Sequence, residues 1–359
     1  MDVPIDAREW CAMSASHDFY AIRPQDAPGE MEEISQLLAA NDLEADEQVE
    51  VFMVCRCRWT GRLVACAGLD HRTIKCVAVA HAARGEALSL ELGTEIVNLA
   101  AARGQFHLFL YTAPHNLSLF RGWSFYPLVE VPDQVVLMEN SPVAVDRYCA
   151  SLRLQRHPGE KIGGIVLNAN PFTLGHRYLL EQAAGACDWL HVFLVHEDAS
   201  FFSYADRYAL VEAGARGLDN LTLHAGSDYI ISRATFPAYF LKDKGVVERS
   251  WAAIDLLLFR QYIAPALGIT HRFVGTEPFD GVTADYNEQM KRWLEREASV
   301  APPIAVVEIP RMALRGVPIS ATEVRRLLPD RDFARISALV PETTLQFLRA
   351  HFPVPHTAA

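Results

Sequence analysis

Residues 168–180, NANPFTLGHRYLL, place a threonine and a histidine three positions apart, where an apolar run ends and a helical pattern begins. Thr173 is typical of a residue that caps a helix N-terminus, which leaves His176 in the first helical turn. Both side chains then face the space before the helix, where free N–H groups and the macrodipole favour anions. Gly175 allows another group to approach the backbone closely. The stretch predicts a polyphosphate site, although a capped helix with a surface histidine would show the same residues.

The turn before this helix carries two asparagines. Pro171 fixes its own φ and biases Asn170 toward extended geometry. Asn168 and Asn170 are candidates to line the substrate side of the turn, and simple turn chemistry is the alternative. The common nucleotide motifs do not compete with this assignment, because neither GxxxxGK[ST] nor a GxGxxG after a strand occurs in the sequence.

A second helix start carries hydroxyls and arginines. It is ISATEVRRLL at 319–328, after the strand-like run IAVVEI and a loop. Ser320 and Glu323 have the spacing of a capping box, which explains the hydroxyl without any ligand. A cap does not require an arginine one turn later, however. Thr322 and Arg325 together with Ser320 therefore predict a second phosphate-binding helix start.

The pattern that must position these residues changes along the chain. Up to about residue 140, helix-like and strand-like runs follow in mixed order, which is typical of an α+β domain. After about residue 160, buried strand-like runs alternate with helical stretches, which is typical of βαβ units on a parallel sheet. The segment between mixes Pro, Arg and polar residues, so we predict domains 1–145 and 146–359. Ligands on a parallel sheet bind where strands end and helices begin, as at the first motif.

Composition and charge narrow the classes of function. The 359 residues are 50% hydrophobic and 21% charged, as in an ordinary soluble globular protein. We expect no membrane span, because no apolar run reaches about 18 residues, and the start MDVPIDAREW lacks the pattern of a signal peptide. The seven cysteines have no CxxC or zinc spacing, which favours reduced core residues in a cytoplasmic protein. The net charge of −11 argues against nucleic acid as a partner, because phosphate contacts need clustered Lys and Arg.

The two motifs together resemble those of the HxGH nucleotidylyltransferase superfamily. FTLGH is similar to its FHxGH signature, with Thr173 at the position of the first His, and ISATEVR is similar to its ISSTxxR signature. The resemblance implies a Rossmann-like domain that binds ATP. Thr173 and His176 would flank the α-phosphate, and His176 and Arg325 would offset the charge that develops on phosphoryl oxygens. The residues expected to bind ATP are Asn168, Asn170, Gly175, Ser320, Thr322 and Arg325.

Further stretches narrow the resemblance to the acetate ligase family of citrate lyase. They are NPFTLGHRYL, GSDYIISRATFPAYFLKD at 226–243, FVGTEPFDGVTADYN at 273–287, and IPR before ISAT. Enzymes of that family form acetyl-AMP and pyrophosphate from ATP and acetate, and then acetylate the thiol of a carrier protein's CoA-like prosthetic group. The resemblance implies an acid–thiol ligase whose partners are acetate and the acyl carrier protein of citrate lyase. It implies ATP with Mg²⁺ as cosubstrate, no metal site of the protein itself and no tightly bound organic cofactor.

The first part of the chain, with LYTAPHNLSLFRGWSFYP, is also similar to this family and resembles a GNAT N-acetyltransferase domain. GNAT domains bind the CoA pyrophosphate with a loop of the type [QR]xxGx[GA], and ARGEALSL at 83–90 is its counterpart. Arg84 fits this pattern, but Ala87 replaces a glycine, and a Cβ there obstructs close approach of a phosphate. Arg84, Asn116 and Tyr126 are candidate contacts for the acyl or prosthetic group, and a docking role is the alternative.

Other assignments remain open from sequence. Lys161 and Arg233 are candidate contacts to substrate or phosphate, although each also fits a solvated charge. The equivalent ligase of malonate decarboxylase and a cofactor nucleotidylyltransferase share the motifs. A tRNA cytidine acetate ligase shares the NPFxxGH style, but the acidic net charge disfavours an RNA surface. A binding module without catalysis is the remaining alternative, if Thr173 has removed the chemistry.

Overall fold

The computed structural model describes residues 17–196, 200–230, 244–276 and 281–353, with side chains at all of them except 86, 244–249 and 281–284. The chain divides into two compact units, Met1–Ala144 with Pro237–Ser250 and Val145–Phe236 with Trp251–Ala359. The boundary that we place between residues 145 and 146 stays a prediction.

The first unit contains a seven-stranded sheet. Its strands are β1 (His17–Ile22), β2 (Val51–Cys57), β3 (Leu63–Asp70), β4 (Thr73–Val79), β5 (Phe109–Thr112), β6 (Tyr126–Val131) and β7 (Val135–Glu139). They lie in the order β1-β2-β3-β4-β5-β7-β6. Only β4 and β5 run parallel, and they pair at Thr73–Phe109 and Ile74–Leu110 alone. The antiparallel neighbours make this a mixed sheet, as the irregular order of patterns predicted.

Both faces of this sheet are covered. The helices of the first part are α1 (Pro28–Ala39), α2 (Glu86–Ala102) and α3 (Leu117–Gly122). Along β2, Val51 and Met53 belong to one apolar cluster with residues of α2, whereas Phe52 and Val54 belong to another with residues of α1. Because side chains alternate between the faces of a strand, burial on both sides explains the continuous apolar run. The unit has the GNAT-like α+β arrangement predicted from the sequence.

The second unit contains a five-stranded parallel sheet. Its strands are β8 (Ile162–Leu167), β9 (Trp189–Leu194), β10 (Leu221–His224), β11 (His271–Gly275) and β12 (Ala305–Ile309). They lie in the order β10-β9-β8-β11-β12, so the direction of winding reverses between β8 and β11. This is the Rossmann-like sheet predicted from the alternating pattern. Ligands bind such sheets outside the carboxyl ends of the strands, at the point where the winding reverses.

Helices accompany this sheet. From residue 144 onward they are α4 (Ala144–Arg153), α5 (Leu174–Gly185), α6 (Tyr204–Gly214), α7 (Lys244–Leu258), α8 (Ala264–Leu267), α9 (Gly281–Met290), α10 (Ala321–Leu327), α11 (Phe333–Ile336) and α12 (Glu342–His351). A short hairpin, β13 (Ala313–Leu314) and β14 (Val317–Pro318), precedes α10. Leu167 of β8 packs in one cluster with Leu180 of α5 and Val211 of α6.

Two expectations about the class of protein can be compared with this structure. The six cysteines in the described part of the chain are free thiols, and four of them are buried, in agreement with reduced core residues. None of the helices that the structure describes combines the length and apolar character needed to cross a membrane.

Two histidines in the parallel sheet are buried against each other. Nδ1 of His191 on β9 lies 2.9 Å from Nε2 of His224 on β10. Burial lowers the pKa of His191 to about 3, helped by the neighbouring His224 and His157. Burial also lowers the pKa of His224 to about 4. Both rings are therefore neutral at pH 7, and one N–H can donate to the other ring.

We expect the free energy of unfolding to fall as the pH is lowered from about 6.5 to about 4. In the unfolded chain these histidines bind protons near pH 6.5, whereas in the folded chain they do not, so the unfolded state binds more protons in this window. Each unit of pKa difference corresponds to about 1.4 kcal/mol. Urea unfolding at several pH values between 7 and 5 measures this slope.

His224→Gln keeps a neutral hydrogen-bonding group and should flatten the pH dependence. His115→Gln changes an exposed histidine and should leave the slope unchanged. Equal slopes in wild type and His224→Gln would mean that the buried pair does not control acid stability.

Candidate active site

The first motif forms a tight cap at the start of α5. Thr173 is the N-cap, and its Oγ1 accepts a hydrogen bond from the His176 N–H at 3.3 Å. The His176 side chain returns the bond, because its Nδ1 accepts from the Thr173 N–H at 3.0 Å. Nδ1 also lies 2.9 Å from Thr173 Oγ1. The predicted cap therefore forms, with histidine in the place that Glu or Gln takes in the usual capping box.

This cap determines the protonation state of His176. Since Nδ1 accepts the backbone N–H, the neutral ring carries its proton on Nε2. Burial lowers the pKa of His176 to about 4, and the positive charge of Arg311 acts in the same direction. At pH 7 the side chain is therefore a neutral hydrogen-bond donor. That His176 offsets developing negative charge stays a prediction, and the neutral ring would do so through its Nε2–H group.

A buried arginine fixes the turn between β8 and α5. Arg207 of α6 is fully buried, and its Nη1 donates to the Asn168 carbonyl at 2.9 Å, to the Asn168 Oδ1 at 3.0 Å and to the Val195 carbonyl at 3.0 Å. It thereby connects the loops after β8 and β9. Asn168 is held by both its main chain and its amide, so its orientation is set from inside the protein.

A second arginine connects the two motifs. Ser320 caps α10, because its Oγ accepts a hydrogen bond from the Glu323 N–H at 3.2 Å. The predicted capping box is not completed, since the Glu323 carboxylate accepts hydrogen bonds from Arg326 and Arg335 instead. Arg325 donates from Nη1 to the Asn170 carbonyl and from Nη2 to the Thr322 Oγ1, the latter at 3.0 Å. The Asn170 Oδ1 in turn accepts the Phe202 N–H at 3.1 Å. Asn170 and Arg325 thus join the motifs.

Gly175 brings the motifs closer still. A Cβ at this position would lie 3.2 Å from the carbonyl oxygen of Ile319, which precedes Ser320. The group that approaches the backbone of Gly175 is therefore the main chain of Ile319, which follows the β13–β14 hairpin. On the opposite side, Phe172 is fully buried, and a Cβ at Gly214 would lie 2.3 Å from its ring. Small residues therefore let the second motif and α6 pack closely around α5.

Both motifs open onto one cavity of about 940 Å³. The predicted residues that line it are Asn168, Thr173, Gly175, His176, Ser320 and Thr322. The carboxyl ends of β8, β11 and β12 form part of its wall, so it lies at the point where the sheet reverses its winding. Arg272 and Arg311 also line it, whereas the described lining residues include no Asp or Glu. The described wall therefore carries only positive formal charge, which suits a polyanion.

Comparison with known proteins identifies the family. Residues 162–348 match the family described as citrate lyase ligase C-terminal domain. The citrate (pro-3S)-lyase ligase of Escherichia coli K12 is 54% identical over 320 residues, covering 89% of this chain and 90% of that protein. The chain belongs to the citrate lyase ligase family. The ligases of the same name from Klebsiella pneumoniae and Haemophilus influenzae are 50% and 49% identical, each over 88% of this chain and over 92% and 94% of their own length.

Not every predicted residue lies at the cavity: Asn170 and Arg325 bond to each other but are not among its lining residues. Lys161 precedes β8 at its amino end, with its ammonium 5.9 Å from the Phe273 ring centroid, and it is not part of the lining. The strand rises about 3.3 Å per residue, so the carboxyl end lies roughly 20 Å away. The proposed substrate contact of Lys161 therefore lacks support from its position. Arg233 lies outside the described residues.

The candidate contacts for the acyl or prosthetic group lie on different elements of the first unit. Arg84 is exposed, and its Nη2 donates to the Asn41 Oδ1 at 2.8 Å. Asn116 ends a 3₁₀ turn before α3, and Tyr126 begins β6 with 43% of its surface exposed. Ala87 lies in the first turn of α2, where the motif would have glycine.

One group of side chains in the described part of the chain has the composition of a metal site. Potential ligand atoms of Glu50, Asp70 and His71 lie within 4.8 Å of one another in the first unit. Two of these groups are already paired, Glu50 with Arg103 and Asp70 with Lys75. The cluster is thus explained as part of a network of ion pairs.

Two arginines of the site were not recognised from the sequence. Arg311 lines the cavity and acts electrostatically on His176. Its only sequence signal was its place in the family-like stretch IPR. In sequence, Arg207 is only one of several arginines in the second part of the chain, because nothing in its local pattern shows that its side chain is buried and binds the carbonyls of two loops.

We expect His176→Ala to lower acyl-adenylate formation by about 10² or more, with a modest change in ATP affinity. The reason is that the Nε2–H group would bond the α-phosphoryl oxygen most strongly when charge develops on it. Pyrophosphate release with ATP and acetate measures the rate. The exposed His351 offers a matched variant, His351→Ala, which should keep wild-type activity. Normal turnover of His176→Ala would remove the histidine from the chemistry.

Arg325→Ala should weaken ATP binding by about tenfold or more, because both a charge and the connection between the two motifs are lost. Arg325→Lys keeps the charge but not the two-point geometry, so it should recover only part of the affinity. Calorimetric titration with ATP and Mg²⁺ measures both. Arg349→Ala, in α12, is the control for loss of an arginine elsewhere. If Arg325→Ala binds ATP as wild type does, Arg325 serves only the fold.

Proposed function

We propose that this chain activates acetate with ATP as acetyl-AMP, releases pyrophosphate, and acetylates the thiol of the prosthetic group on the acyl carrier protein of citrate lyase. The observation that carries the proposal is one cavity, without any carboxylate among its described lining residues, onto which both phosphate-type motifs open. The name shared by relatives at 49–54% identity supports the choice of carrier. It favours citrate lyase over malonate decarboxylase, a nucleotide cofactor or tRNA.

The first half-reaction joins two anions. An acetate oxygen attacks the α-phosphorus of ATP, the bond from this phosphorus to the bridging oxygen of the β-phosphate breaks, and pyrophosphate leaves. His176 donates its Nε2–H to an α-phosphoryl oxygen, and Thr173 keeps the ring in this tautomer. Ser320 and Thr322 offer hydroxyl donors to the β- and γ-phosphates, while Arg325 and Arg311 supply positive charge. Donors already in position stabilise developing charge without reorganisation.

Magnesium enters this scheme with ATP. The described lining residues include no Asp or Glu, which are the ligands that Mg²⁺ prefers in proteins. These residues therefore do not provide a protein site for the ion, and we assign Mg²⁺ to the phosphate oxygens of ATP. The ion would neutralise part of the triphosphate charge there.

The second half-reaction transfers the acetyl group. The thiol sulfur of the prosthetic group attacks the acetyl carbon of acetyl-AMP, the bond from that carbon to the phosphate oxygen breaks, and AMP leaves while the thiol loses its proton. We propose that the GNAT-like domain, residues 1–145, holds the prosthetic group, with Arg84, Asn116 and Tyr126 as contacts. The adenylation domain, residues 146–359, forms the mixed anhydride. The reduced cysteines are consistent with a cytoplasmic reaction.

The proposed function is tested by following both half-reactions in the full-length protein. Pyrophosphate release from ATP should depend on acetate, and the mass of carrier bearing its prosthetic group should rise by one acetyl group. Asn116→Ala should slow the rise in carrier mass but leave the exchange of pyrophosphate into ATP unchanged, because the two steps use different domains.

Different outcomes identify the alternatives. If the carrier protein of malonate decarboxylase is acetylated faster than the carrier protein of citrate lyase, the chain is the ligase of malonate decarboxylase. Pyrophosphate release with a phosphate-bearing substrate instead of acetate would indicate a cofactor nucleotidylyltransferase. If neither carrier is acetylated while acetyl-AMP is formed, the thiol acceptor is wrong.

A further inference from the structure

A buried polar cluster lies behind the motifs of the cavity. It is centred on Tyr286 of α9, which stacks on Trp251 with ring centroids 5.0 Å apart. The Tyr286 hydroxyl donates to the Asp255 Oδ2 at 2.6 Å. The guanidinium of Arg272 on β11 lies 4.3 Å from the centroid of the Phe259 ring, and the charges of Asp255 and Arg272 influence each other. The mechanism proposed above uses none of these residues.

Three polar atoms of this cluster have no hydrogen-bond partner. They are Trp251 Nε1, Arg272 Nη1 and Asn287 Oδ1, out of eight such buried side-chain atoms among the described residues. Arg272 and Asn287 are each only 4% exposed, and both line the cavity. Leaving buried donors and acceptors unpaired costs free energy, so native proteins rarely do it. Such a concentration in one place points to a ligand that pairs them.

The described part of the cluster contains one cation, Arg272, and one carboxylate, Asp255. Burial and the Asp255 carboxylate raise the pKa of Tyr286, so its hydroxyl stays protonated and keeps donating to Asp255. The carboxylate faces the positive charge of Arg272. What is left is the Nη1 group of Arg272, whose two N–H donors need acceptors, the Trp251 N–H, and one oxygen of Asn287 that needs a donor. An acetate or phosphate offers acceptors only and would oppose the Asn287 oxygen.

The direction of the Asn287 oxygen is set by a backbone contact. The Asn287 Nδ2 donates to the Gly275 carbonyl at 3.2 Å, so its Oδ1 has a set direction. Arg272 stands three residues before Gly275, the last residue of β11, which is roughly 10 Å along the strand.

We propose that Arg272 and Asn287 form a recognition subsite, which takes a group that presents both a hydrogen-bond acceptor and a hydrogen-bond donor. The choice of probes rests on the proposed function. Two of its reactants have this chemistry: the amino edge of adenine in ATP, and the amides of a pantetheine-type prosthetic arm. The subsite would contribute to selection of one of these substrates without touching the reacting atoms.

The test compares Asn287→Leu and Arg272→Lys with wild type by calorimetric titration, using ATP in one arm and pantetheine in the other. We expect at least a tenfold loss of affinity for one probe in both variants. Gln289→Leu is the matched control, since Gln289 is a buried amide on the same helix that bonds Trp293 and does not line the cavity. It should bind both probes within twofold of wild type. Thermal melting checks folding, and Asn287→Ser replaces Asn287→Leu if the latter unfolds.

A loss confined to ATP assigns the subsite to adenine, and a loss confined to pantetheine assigns it to the prosthetic arm. Unchanged affinity for both probes, binding of neither by wild type, or a rise in the acetate KM alone would each overturn the proposal. Because these affinities need no turnover, they are separate from the test of acetate-dependent pyrophosphate release. The subsite and the proposed function can therefore fail independently.

Discussion

The architecture of the site depends on pairing the carbonyl groups of one turn. The chain must leave β8 and enter α5 within a few residues, and its main-chain acceptors there belong to neither element. Arg207 satisfies the carbonyl of Asn168 from inside the protein, and Arg325 satisfies that of Asn170 from the second motif. Each arginine thus binds a main-chain carbonyl group of the turn. These contacts fix the turn, and the turn positions the amide, hydroxyl and imidazole groups at the cavity.

This arrangement also explains how an acidic chain can offer a site for polyanions. The net charge of −11 describes the whole surface, whereas the described wall of the cavity contains arginines and no carboxylate. Inside such a cavity a local charge matters more than a distant one, because screening by water and salt is reduced. The argument from net charge against a broad nucleic-acid surface stays a prediction, and net charge carries no information about this pocket.

Local sequence signals predicted much of the fold and part of the site. The capping positions of Thr173 and Ser320 follow from residue type and from the start of an apolar period, so they could be read directly. The five parallel strands could also be predicted, because each is a continuous apolar run in the sequence. Strands β1 and β6 were not recognised, because their burial alternates irregularly along the sequence.

What could not be predicted depends on contacts between distant residues. Arg325 and Asn170 stand 155 positions apart, and no local pattern pairs them. Lys161 was chosen for its charge beside the strand that leads to the motif, although a side chain before the first residue of a strand lies at its other end. In sequence, Arg272 is only one of several candidate cations and Asn287 carries no signal, because a charged residue in a strand and an asparagine in a helix suggest solvent-facing positions.

The charge state of His176 shows why cap and catalysis are not competing explanations of the first motif. Thr173 replaces a histidine of the superfamily pattern, and its hydroxyl and N–H both lie against the Nδ1 of His176. A capped helix start therefore also selects the tautomer with Nε2–H, while burial and Arg311 keep the ring neutral. A protonated ring would lose the bond that its Nδ1 accepts, which is the reciprocal half of the cap. The same interactions that begin the helix therefore hold a neutral donor in position beside the cavity, and its donor strength does not change over the physiological range of pH.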